Sequence, residues 1–315
     1  MFSVQENFNV TPLSSFKIKS KVRYFVELKD EKDLPKLFKE IKKSRLPYFI
    51  MGRASNLLFC TEEYNGWAVK LAPMGINYAE GIFQVGAGDL LLKLIQEMTR
   101  AGYGGLHKLV GIPGTIGGAI RGNAGSYGTE ISDALLEVNF FDTDKMVFGV
   151  LKKSECQFKY RRSIFVDRKN LVIIAAKFSS EPWDYQELEK EMNRILEKRK
   201  NKSYGQYPSA GSIFKHIGLE EIKDEKQRSG LVQNYQKKTG LKNVNFIPAG
   251  YLLEKIGLEG KQAGQAKISP EHGNIIINLG GATAQDILAL INLAETEVSN
   301  KWGISLQQEI VCIGL

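Results

Sequence analysis

The order of apolar and polar positions along the chain predicts a mixture of strands and helices. Short runs rich in β-branched and aromatic residues are typical of strands, and they occur at positions 22–28, 47–50, 66–71, 136–141, 171–178 and 309–313. Apolar residues spaced three and four positions apart are typical of one buried helix face. Such faces are formed by Leu34, Leu37, Phe38 and Ile41, by Leu91, Leu94, Ile95 and Met98, by Leu188, Met192, Ile195 and Leu196 in a helix over 183–200, and by Ile287, Ile291, Ala294 and Val298. This mixture predicts the α+β fold class.

Residues at the ends of the periodic segments predict where helices begin and end. Asp89 is positioned to cap the second helix and Gly102 to end it. Thr283-Ala284-Gln285-Asp286 has the form of a capping box, which predicts the start of the last helix. By contrast, residues 217–246 are polar and weakly periodic. We expect them to form a mobile surface excursion, acting as a flap over a ligand cleft.

Length and composition limit the class of protein. A chain of 315 residues corresponds to two domains, or three small ones, at about 150 residues each. The longest apolar run, 171–176, is far shorter than the roughly 20 residues of a membrane span, and the N-terminus lacks a signal-peptide pattern. Cys60, Cys156 and Cys312 are far apart in a chain with three histidines, which predicts no metal site and no disulfide framework. We therefore expect a cytoplasmic protein without membrane insertion.

The net charge of +8 allows three kinds of partner: nucleic acid, an anionic membrane or acidic small molecules. The short apolar runs weaken the membrane alternative. Nucleic-acid binding would require a recognisable motif or one dominant basic stripe, and the chain shows no helix-turn-helix, zinc-finger or RNA-recognition pattern. The excess of positive charge is divided between residues 1–50 and 186–242. A nucleic-acid-binding protein therefore stays a minor alternative, and anionic small molecules are the favoured partners.

Glycine is concentrated in one segment, because ten of the 31 glycines lie between Gly102 and Gly128. Glycine lets the backbone approach a ligand closely, and successive bare N–H groups can bind a diphosphate. The alternative is a structural bend. The segment is not a Walker A motif, because it lacks Gly-Lys-Ser/Thr. We interpret it as one wall of a diphosphate site, which requires donors from a second loop.

Four further segments are candidates for chemistry, each with an ordinary structural alternative. Residues 52–58 follow a predicted strand and could be the second diphosphate loop or a plain turn. The arginine pair at 161–162 could bind an anion through a rigid guanidinium or be surface charge. Residues 208–215 end in a serine and a lysine without forming a nucleophile elbow. The fourth candidate is Glu309, which opens the last predicted strand and could simply be exposed.

In this order the segments resemble one family, the UDP-N-acetylenolpyruvoylglucosamine reductases, also called UDP-N-acetylmuramate dehydrogenases. The specific matches are Gly-Ile-Pro-Gly-Thr-x-Gly-Gly-Ala and Asn-Ala-Gly-x-Tyr-Gly within 111–128, Tyr-Arg at 160–161, Ala-Gly-Ser-x-Phe-Lys at 210–215, Pro-Ala-Gly-Tyr-Leu-Leu-Glu-Lys at 248–255, and Glu309. The resemblance extends over nearly the whole chain. It places the chain in the flavin superfamily of vanillyl-alcohol oxidase and para-cresol methylhydroxylase.

The resemblance implies a two-lobed FAD-binding domain of the para-cresol methylhydroxylase type and a C-terminal α+β substrate domain. The expected boundaries are 1–75 for the first lobe, 76–203 for the second lobe and 204–304 for the substrate domain, with the strand in 305–315 returning to the second lobe. It also implies NADPH-dependent reduction of UDP-N-acetylglucosamine enolpyruvate to UDP-N-acetylmuramate through FAD, for peptidoglycan synthesis. We expect a monomer that binds no nucleic acid and no metal.

The resemblance also implies roles for individual residues. Hydride addition to the enolpyruvyl double bond drives negative charge onto its carboxylate, which a preorganised cation can stabilise. Arg161 matches the family's catalytic arginine, Ser212 its proton donor, and Glu309 its third catalytic residue, which we assign to polarising the intermediate with Arg161. Substrate contacts are expected at Tyr160, Lys215, Lys267, His272 and Asn274. FAD contacts are expected at Gly52, Arg53, Ala54, Ser55, Asn56, Leu57, Gly111, Pro113, Gly114, Thr115, Gly117, Gly118, Ala119, Asn123, Ala124, Gly125 and Gly128.

Several positions depart from the family pattern. The usual Gly-Gly-Gly-Ser-Asn reads Gly-Arg53-Ala54-Ser-Asn, and Arg121-Gly122 replaces an apolar pair. The Gln-Pro expected after Arg199 is missing, His216-Ile217 replaces Asn/Arg-Pro, and Lys267 stands where Gln is usual. These departures leave open a related hypothesis, a flavin oxidase or dehydrogenase acting on another substrate. Ser212 and Glu309 discriminate between the two, because a generic flavin oxidase does not require this pair.

Overall fold

The computed structural model describes residues 2–200 and 203–315, and these form two compact units. The first unit is built from residues 2–9, 21–54 and 63–200, and the second from 10–20, 55–62 and 203–315. The chain therefore crosses from one unit to the other several times. Each unit has its own hydrophobic core.

Helices of very different lengths are distributed over both units. In chain order they are α1 (Leu34–Ser44), α2 (Leu91–Arg100), α3 (Ile116–Arg121), α4 (Ile164–Asp167), α5 (Tyr185–Lys200), α6 (Glu225–Thr239), α7 (Ala249–Lys255) and α8 (Ala284–Trp302). None of the helices in the described parts of the chain combines the length and the apolar composition of a membrane span.

Strands alternate with these helices and confirm the predicted α+β class. In chain order they are β1 (Gln5–Asn9), β2 (Lys21–Leu28), β3 (Tyr48–Met51), β4 (Leu57–Phe59), β5 (Glu63–Leu71), β6 (Ile76–Ala79), β7 (Ile82–Gly86), β8 (Gly125–Ser126), β9 (Thr129–Glu130), β10 (Leu135–Asp142), β11 (Val147–Lys152), β12 (Leu171–Ser179), β13 (Ile217–Gly218), β14 (Phe246–Ile247), β15 (Gln262–Ala263), β16 (Ala266–Ile268), β17 (Ile276–Asn278) and β18 (Val311–Ile313).

Two sheets organise the first unit. One has the strand order β1-β2-β5-β3, in which β5 runs parallel to both β2 and β3. The other has the order β11-β10-β12-β7-β6 and is antiparallel throughout. The predicted faces of α1 and α2 are at most 2% exposed and belong to the same core. Burial of these apolar stripes confirms the helical periodicity seen in the sequence.

The second unit is built around α8. Its predicted inward face is almost completely buried, and Thr283 forms the predicted capping box with Asp286. The antiparallel sheet β15-β16-β17 and the helix α7 contribute apolar side chains to the same core. Asn278, at the end of β17, joins distant parts of this unit: its Nδ2 donates to Phe16 O at 2.9 Å, and its Oδ1 accepts from Gly280 N and Ala282 N at 2.8 and 3.0 Å.

One prediction about local structure is wrong, and one segment is more regular than its sequence indicates. Asp89 does not cap α2, whose N-cap is Leu90. Instead the buried Asp89 carboxylate accepts from the amides of Met74 and Gly75, both at 2.9 Å, because that turn has amides without backbone acceptors. Residues 217–246 contain more regular structure than their weak periodicity indicates, and their mobility and role as a flap stay predictions. They contain the fifteen-residue helix α6, capped by Asp224, between the paired strands β13 and β14. The helix α6 was not predicted because it lacks a buried apolar stripe, and Leu231 is its one buried residue.

The prediction for the C-terminal strand is also wrong. The sequence predicts that this strand returns to residues 76–203, whereas β18 pairs in parallel with β4 in the second unit. Asn56 explains the pairing, because its backbone O accepts from Val311 N at 2.9 Å and its side-chain Nδ2 donates to Glu309 O at 2.9 Å. The boundaries expected for the two lobes and the substrate domain stay predictions.

Substitution of Asn278 tests the importance of the buried amide. Asn278→Ala leaves one carbonyl and two amides without their partner, so we expect the free energy of unfolding to fall by about 2 kcal/mol or more. Equilibrium urea denaturation measures the change. Asn193→Ala, at an exposed position of α5, is the matched control and should change stability by less than about 0.5 kcal/mol. Equal effects of the two substitutions would contradict this role.

Candidate active site

The glycine-rich segment of the first unit forms a compact turn–helix–turn. Gly111, Pro113 and Gly114 lie in the turn before α3, and Thr115 is the N-cap of this helix. Gly117, Gly118 and Ala119 belong to α3, Asn123 and Ala124 follow it, and Gly125 and Gly128 lie in the β8–β9 hairpin. The Thr115 Oγ1 accepts from Gly118 N at 3.4 Å. The structure thus places the expected FAD contacts between positions 111 and 128 on one continuous feature.

The loop after β3 lies directly against this segment. A Cβ atom built on Gly52 would lie 2.3 Å from Thr115 Oγ1, a distance that no side chain can occupy. By contrast, a Cβ on Gly118 would meet nothing nearer than Thr115 Oγ1 at 3.7 Å, so its bare backbone borders open space. Gly52 also follows the carboxyl end of a strand in a parallel pair, the edge where ligands commonly bind. Two loops therefore meet, as a diphosphate site requires.

Two departures from the family pattern lie in the loop after β3. The side chain of Arg53 is exposed, so it does not fill the space between the loops. Ala54 is buried and has φ of 48°, in the left-handed region that costs an L-residue about 1–2 kcal/mol. Glycine, the usual residue here in the family, adopts this conformation without that cost. Of the remaining loop residues, Ser55 and Asn56 lead into β4, which begins at Leu57.

The catalytic arginine predicted from the sequence lies at the tip of a tight hairpin. Lys159 and Arg162 exchange backbone hydrogen bonds of 3.0 Å in both directions, which leaves Tyr160 and Arg161 at the turn. Arg161 has φ of 51°, and its guanidinium lies 4.9 Å from the centre of the Tyr160 ring. Backbone strain of this kind persists where the surroundings fix it, often at functional sites.

Three hydrogen bonds attach this hairpin to the glycine-rich segment. Arg161 Nη2 donates to Gly125 O at 2.8 Å, Asn123 Nδ2 donates to Lys159 O at 3.1 Å, and Ser163 Oγ donates to Arg121 O at 2.7 Å. A Cβ atom at position 125 would lie 3.1 Å from Arg161 Nη1, so glycine is what lets the guanidinium reach this carbonyl. The predicted cofactor segment and the predicted catalytic arginine thus form one structural element.

The buried side chain of Asn123 holds this element together. It is fully buried, and its Nδ2 also donates to Glu130 Oε2 at 2.6 Å. Its backbone has φ of 43°, a region that asparagine tolerates better than most residues. The sequence predicts that Asn123 contacts FAD. Its Nδ2 contacts also position the arginine hairpin, while its buried Oδ1 has no partner among the described residues, so the predicted FAD contact stays a prediction.

The second unit brings the other two predicted catalytic residues onto adjacent segments. Ser212 forms a bridge with Ile275, and the next residue, Ile213, accepts at its O from Glu309 N at 2.7 Å. Lys215 N donates to Gln307 O at 2.8 Å. Residues 212–215 therefore lie extended between residues 274–275 and 307–309, with Ser212 and Glu309 both half-buried. This extended arrangement fixes the serine and the acid relative to each other.

Asn274 fixes the same segment from its other side. Its Oδ1 accepts from Phe214 N at 2.9 Å and its Nδ2 donates to Phe214 O at 2.8 Å. The side chain is buried, with both polar atoms used inside the protein. The sequence predicts a substrate contact for Asn274. The geometry supports a positioning role for the segment that carries Ser212.

The remaining predicted substrate residues occupy separate positions. Tyr160 is exposed beside Arg161, and Lys267 lies in β16 opposite Gln262 and Ile277. His272 Nδ1 accepts from Asn274 N at 3.2 Å. Neither unit by itself brings all of these residues together.

Arg199 also contributes to the site, although no sequence pattern assigned it a role there. Its Nη2 donates to Ser126 Oγ at 3.1 Å, and a Cβ at Gly111 would lie 2.7 Å from its Cδ. Arg199 therefore supports both ends of the glycine-rich segment. The sequence feature that could have indicated this role is the arginine of the altered Arg-x-x-x-Gln-Pro motif.

Arg121 lies at the end of α3. Burial lowers the pKa of its guanidinium, while the charge of Asp167 acts in the opposite direction.

The residues of the first unit fit FAD. Gly52 and Thr115 are in contact, bare backbone at Gly118 borders open space, and the Thr115 hydroxyl lies beside it. Small, uncharged groups that leave room for a ligand against backbone dipoles suit a diphosphate.

Comparisons with known proteins decide the family. A model described as the FAD binding domain matches residues 22–148, and one described as the C-terminal domain of UDP-N-acetylenolpyruvoylglucosamine reductase matches residues 202–313. A reductase of that name from Anoxybacillus flavithermus is 32% identical over 99% of this chain and 95% of its own. This chain belongs to the UDP-N-acetylenolpyruvoylglucosamine reductase family. The comparison confirms the family resemblance found in the sequence.

Other members of the reductase family agree over the full length. The protein from Protochlamydia amoebophila is 33% identical over 97% of this chain and 92% of its own. The crystal structure of the reductase from Thermus caldophilus superimposes with a TM-score of 0.75 at 28% identity, covering 99% of both chains. The fold of this chain is thus similar to that of the Thermus caldophilus reductase over nearly its whole length.

Substitution of Gly52 tests the contact between the two loops. Gly52→Ala forces a Cβ against Thr115, so we expect a loss of about 1–3 kcal/mol in stability and a lower flavin content per chain. Thermal melting and visible absorption of the purified protein measure the two effects. Gly230→Ala in α6, where a Cβ meets nothing within 4 Å, is the control and should not lower either value. Normal stability and flavin content in Gly52→Ala would show that the loops do not meet.

Proposed function

We propose that this chain is an FAD-dependent oxidoreductase that reduces UDP-N-acetylglucosamine enolpyruvate to UDP-N-acetylmuramate with NADPH, a step in peptidoglycan precursor synthesis. The observation that carries the proposal is the extended segment 212–215, which holds Ser212 beside the backbone of Glu309 in the second unit. A generic flavin oxidase does not require this pair. When bound, FAD supplies the hydride that NADPH delivers to it.

Arg161 is proposed to stabilise the charge that develops on the substrate carboxylate. The guanidinium is held by Gly125 O and by the face of Tyr160, so its orientation is set before substrate arrives. A preorganised cation is effective in a transition state because it requires little reorganisation as charge develops. A lysine would lack the planar set of donors that engages both a backbone oxygen and a carboxylate.

Ser212 is proposed to donate a proton to the carbon next to the carboxylate. A serine hydroxyl is a weak acid, so it requires a partner that polarises it or restores its proton. Glu309 is proposed to polarise the intermediate together with Arg161. The backbone hydrogen bond between Glu309 N and Ile213 O supports a joint role of Glu309 and Ser212, because Ile213 directly follows the serine. Lys215, on the same segment, is proposed to contact an anionic group of the substrate.

Free cysteines support the cytoplasmic location predicted from the sequence. Cys60, Cys156 and Cys312 take part in no disulfide, and proteins of that compartment rarely contain one. A cytoplasmic location is also consistent with NADPH as the reductant. The monomeric state stays a prediction.

Replacement of the proposed proton donor tests the function. Ser212→Ala should retain flavin and its reduction by NADPH, because the first unit is unchanged, while turnover with UDP-N-acetylglucosamine enolpyruvate falls at least about 100-fold, the lower end of what general acid catalysis contributes. Rapid-mixing spectroscopy separates the two half-reactions. Ser209→Ala, three positions earlier, is the matched control and should behave like the native protein.

Two outcomes would contradict this assignment. Normal turnover of Ser212→Ala would exclude the serine as proton donor. Native protein that ignores the UDP-sugar, and is reoxidised rapidly by air instead, would favour an oxidase of the same flavin superfamily.

A second variant distinguishes positioning from cofactor contact at Asn123. Asn123→Ala removes the link to Lys159 O, so we expect Arg161 to shift and turnover to fall by about 100-fold, the effect of a misplacement near 1 Å. Flavin affinity should change much less. Asn77→Ala, at an exposed position of β6, is the control. If flavin is lost in proportion to activity, Asn123 contacts the cofactor, as its position in the family motif predicts.

A further inference from the structure

Residues 181–199 run along the chain that leads into the glycine-rich segment, all within the first unit. Trp183 N donates to Gly102 O at 2.7 Å, and Gly104 N donates to Glu181 O at 3.3 Å. The indole ring of Trp183 lies against Gly104, where a Cβ atom would be 2.9 Å from Trp183 Cε3. Glycine is therefore what lets the residues before α5 lie so close to this stretch of chain.

Helix α5 packs against the first unit with one face, which includes Leu188, Met192, Ile195 and Arg199. Leu188 and Ile195 are at most 2% exposed, and Thr99 Oγ1 of α2 donates to Met192 Sδ at 3.4 Å. Spacings of four, three and four residues put these side chains on the same side of a helix. Arg199 therefore ends the packed face, and its Nη2 reaches Ser126 Oγ in the glycine-rich segment.

A buried histidine contacts α5 beside this packed face. His107 is 4% exposed, and its Nε2 lies 2.8 Å from Glu191 Oε2 of α5. Its Nδ1 is buried without a hydrogen-bond partner among the described residues, and the centre of the Trp183 ring lies 5.6 Å from that of the imidazole. Arg194 lies 3.6 Å from the other carboxylate oxygen of Glu191. The His107 ring therefore depends on Glu191, because a buried polar group without a partner is costly.

We propose that His107 and Glu191 are positioning residues for the cofactor site and act through Arg199. Their hydrogen bond sets the position of α5 along the glycine-rich segment, and α5 in turn presents Arg199 to Gly111 and Ser126. These two contacts precede and follow α3, whose N-terminal backbone is the proposed diphosphate surface. The effect on flavin binding rests on the proposed function, whereas the effect on the order of the glycine-rich segment does not.

Hydrogen exchange and flavin release from the flavin-loaded protein test the proposal. Glu191→Ala removes the partner of His107, so amides of residues 107–128 should exchange at least about tenfold faster, the factor that corresponds to one lost hydrogen bond to a charged group. Exchange in β2 should change by less than about threefold, because the opening is local. Flavin should leave the diluted protein at least about tenfold faster, followed by its fluorescence, at a temperature where circular dichroism shows no unfolding.

Three further variants separate positioning from a general effect. Glu191→Gln keeps an oxygen that can accept from His107, so it should restore both rates to within about threefold of the native values. Glu189→Ala changes an exposed glutamate of α5 and should leave both rates unchanged. When Arg199→Ala is already present, Glu191→Ala should accelerate flavin release by less than about threefold more, because residues that act through one another are not additive.

Four results would overturn the proposal. They are native exchange and flavin release in Glu191→Ala, an equal effect of Glu189→Ala, full additivity of Glu191→Ala and Arg199→Ala, and faster exchange over the whole first unit, which would show a general loss of stability. A native protein without flavin would contradict the proposed function instead, and the exchange of residues 107–128 would still test the role of the pair.

Discussion

Close contact between backbone and side chains at Gly52 and Gly125 is the constraint on which the first unit's site depends. Gly52 lies against the Thr115 hydroxyl, and Gly125 accepts the guanidinium of Arg161. A methyl group at either position would separate parts that must touch. The high glycine content of the sequence is thus explained by close contacts as well as by turns. These contacts position the Arg161 guanidinium as well as the proposed cofactor surface.

Buried asparagines fix the relative positions of backbone segments in each unit. Asn123 links the arginine hairpin to the glycine-rich segment, Asn274 binds both backbone groups of Phe214, and Asn278 joins Phe16 to the start of α8. An amide can donate and accept at once, so one buried side chain satisfies backbone groups from segments far apart in sequence. The proposed chemistry at Arg161 and Ser212 depends on Asn123 and Asn274, because small displacements of catalytic groups lower the reaction rate by large factors.

Periodicity and motif order predicted the parts of the fold that one short stretch of chain determines. The faces of α1, α2 and α8 were found because buried stripes repeat with the helix, and the capping box at Thr283 was found because its spacing is local. Helix α6 was missed because it buries little apolar surface and is held by end caps. The roles of Asp89 and Asn56 were missed because their partners are distant in sequence. Residues matching the family motif could be named from the sequence, but the internal hydrogen bonds of Asn123 and Asn274 could not, because their partners lie 36 and 60 positions away.

The absorption spectrum of the purified protein through one anaerobic cycle tests the central claim most directly. The account predicts a flavin band near 450 nm (an approximate value for bound flavin) that bleaches with NADPH and returns when UDP-N-acetylglucosamine enolpyruvate is added without oxygen. A colourless protein, or a reduced flavin that this substrate fails to reoxidise, would contradict it.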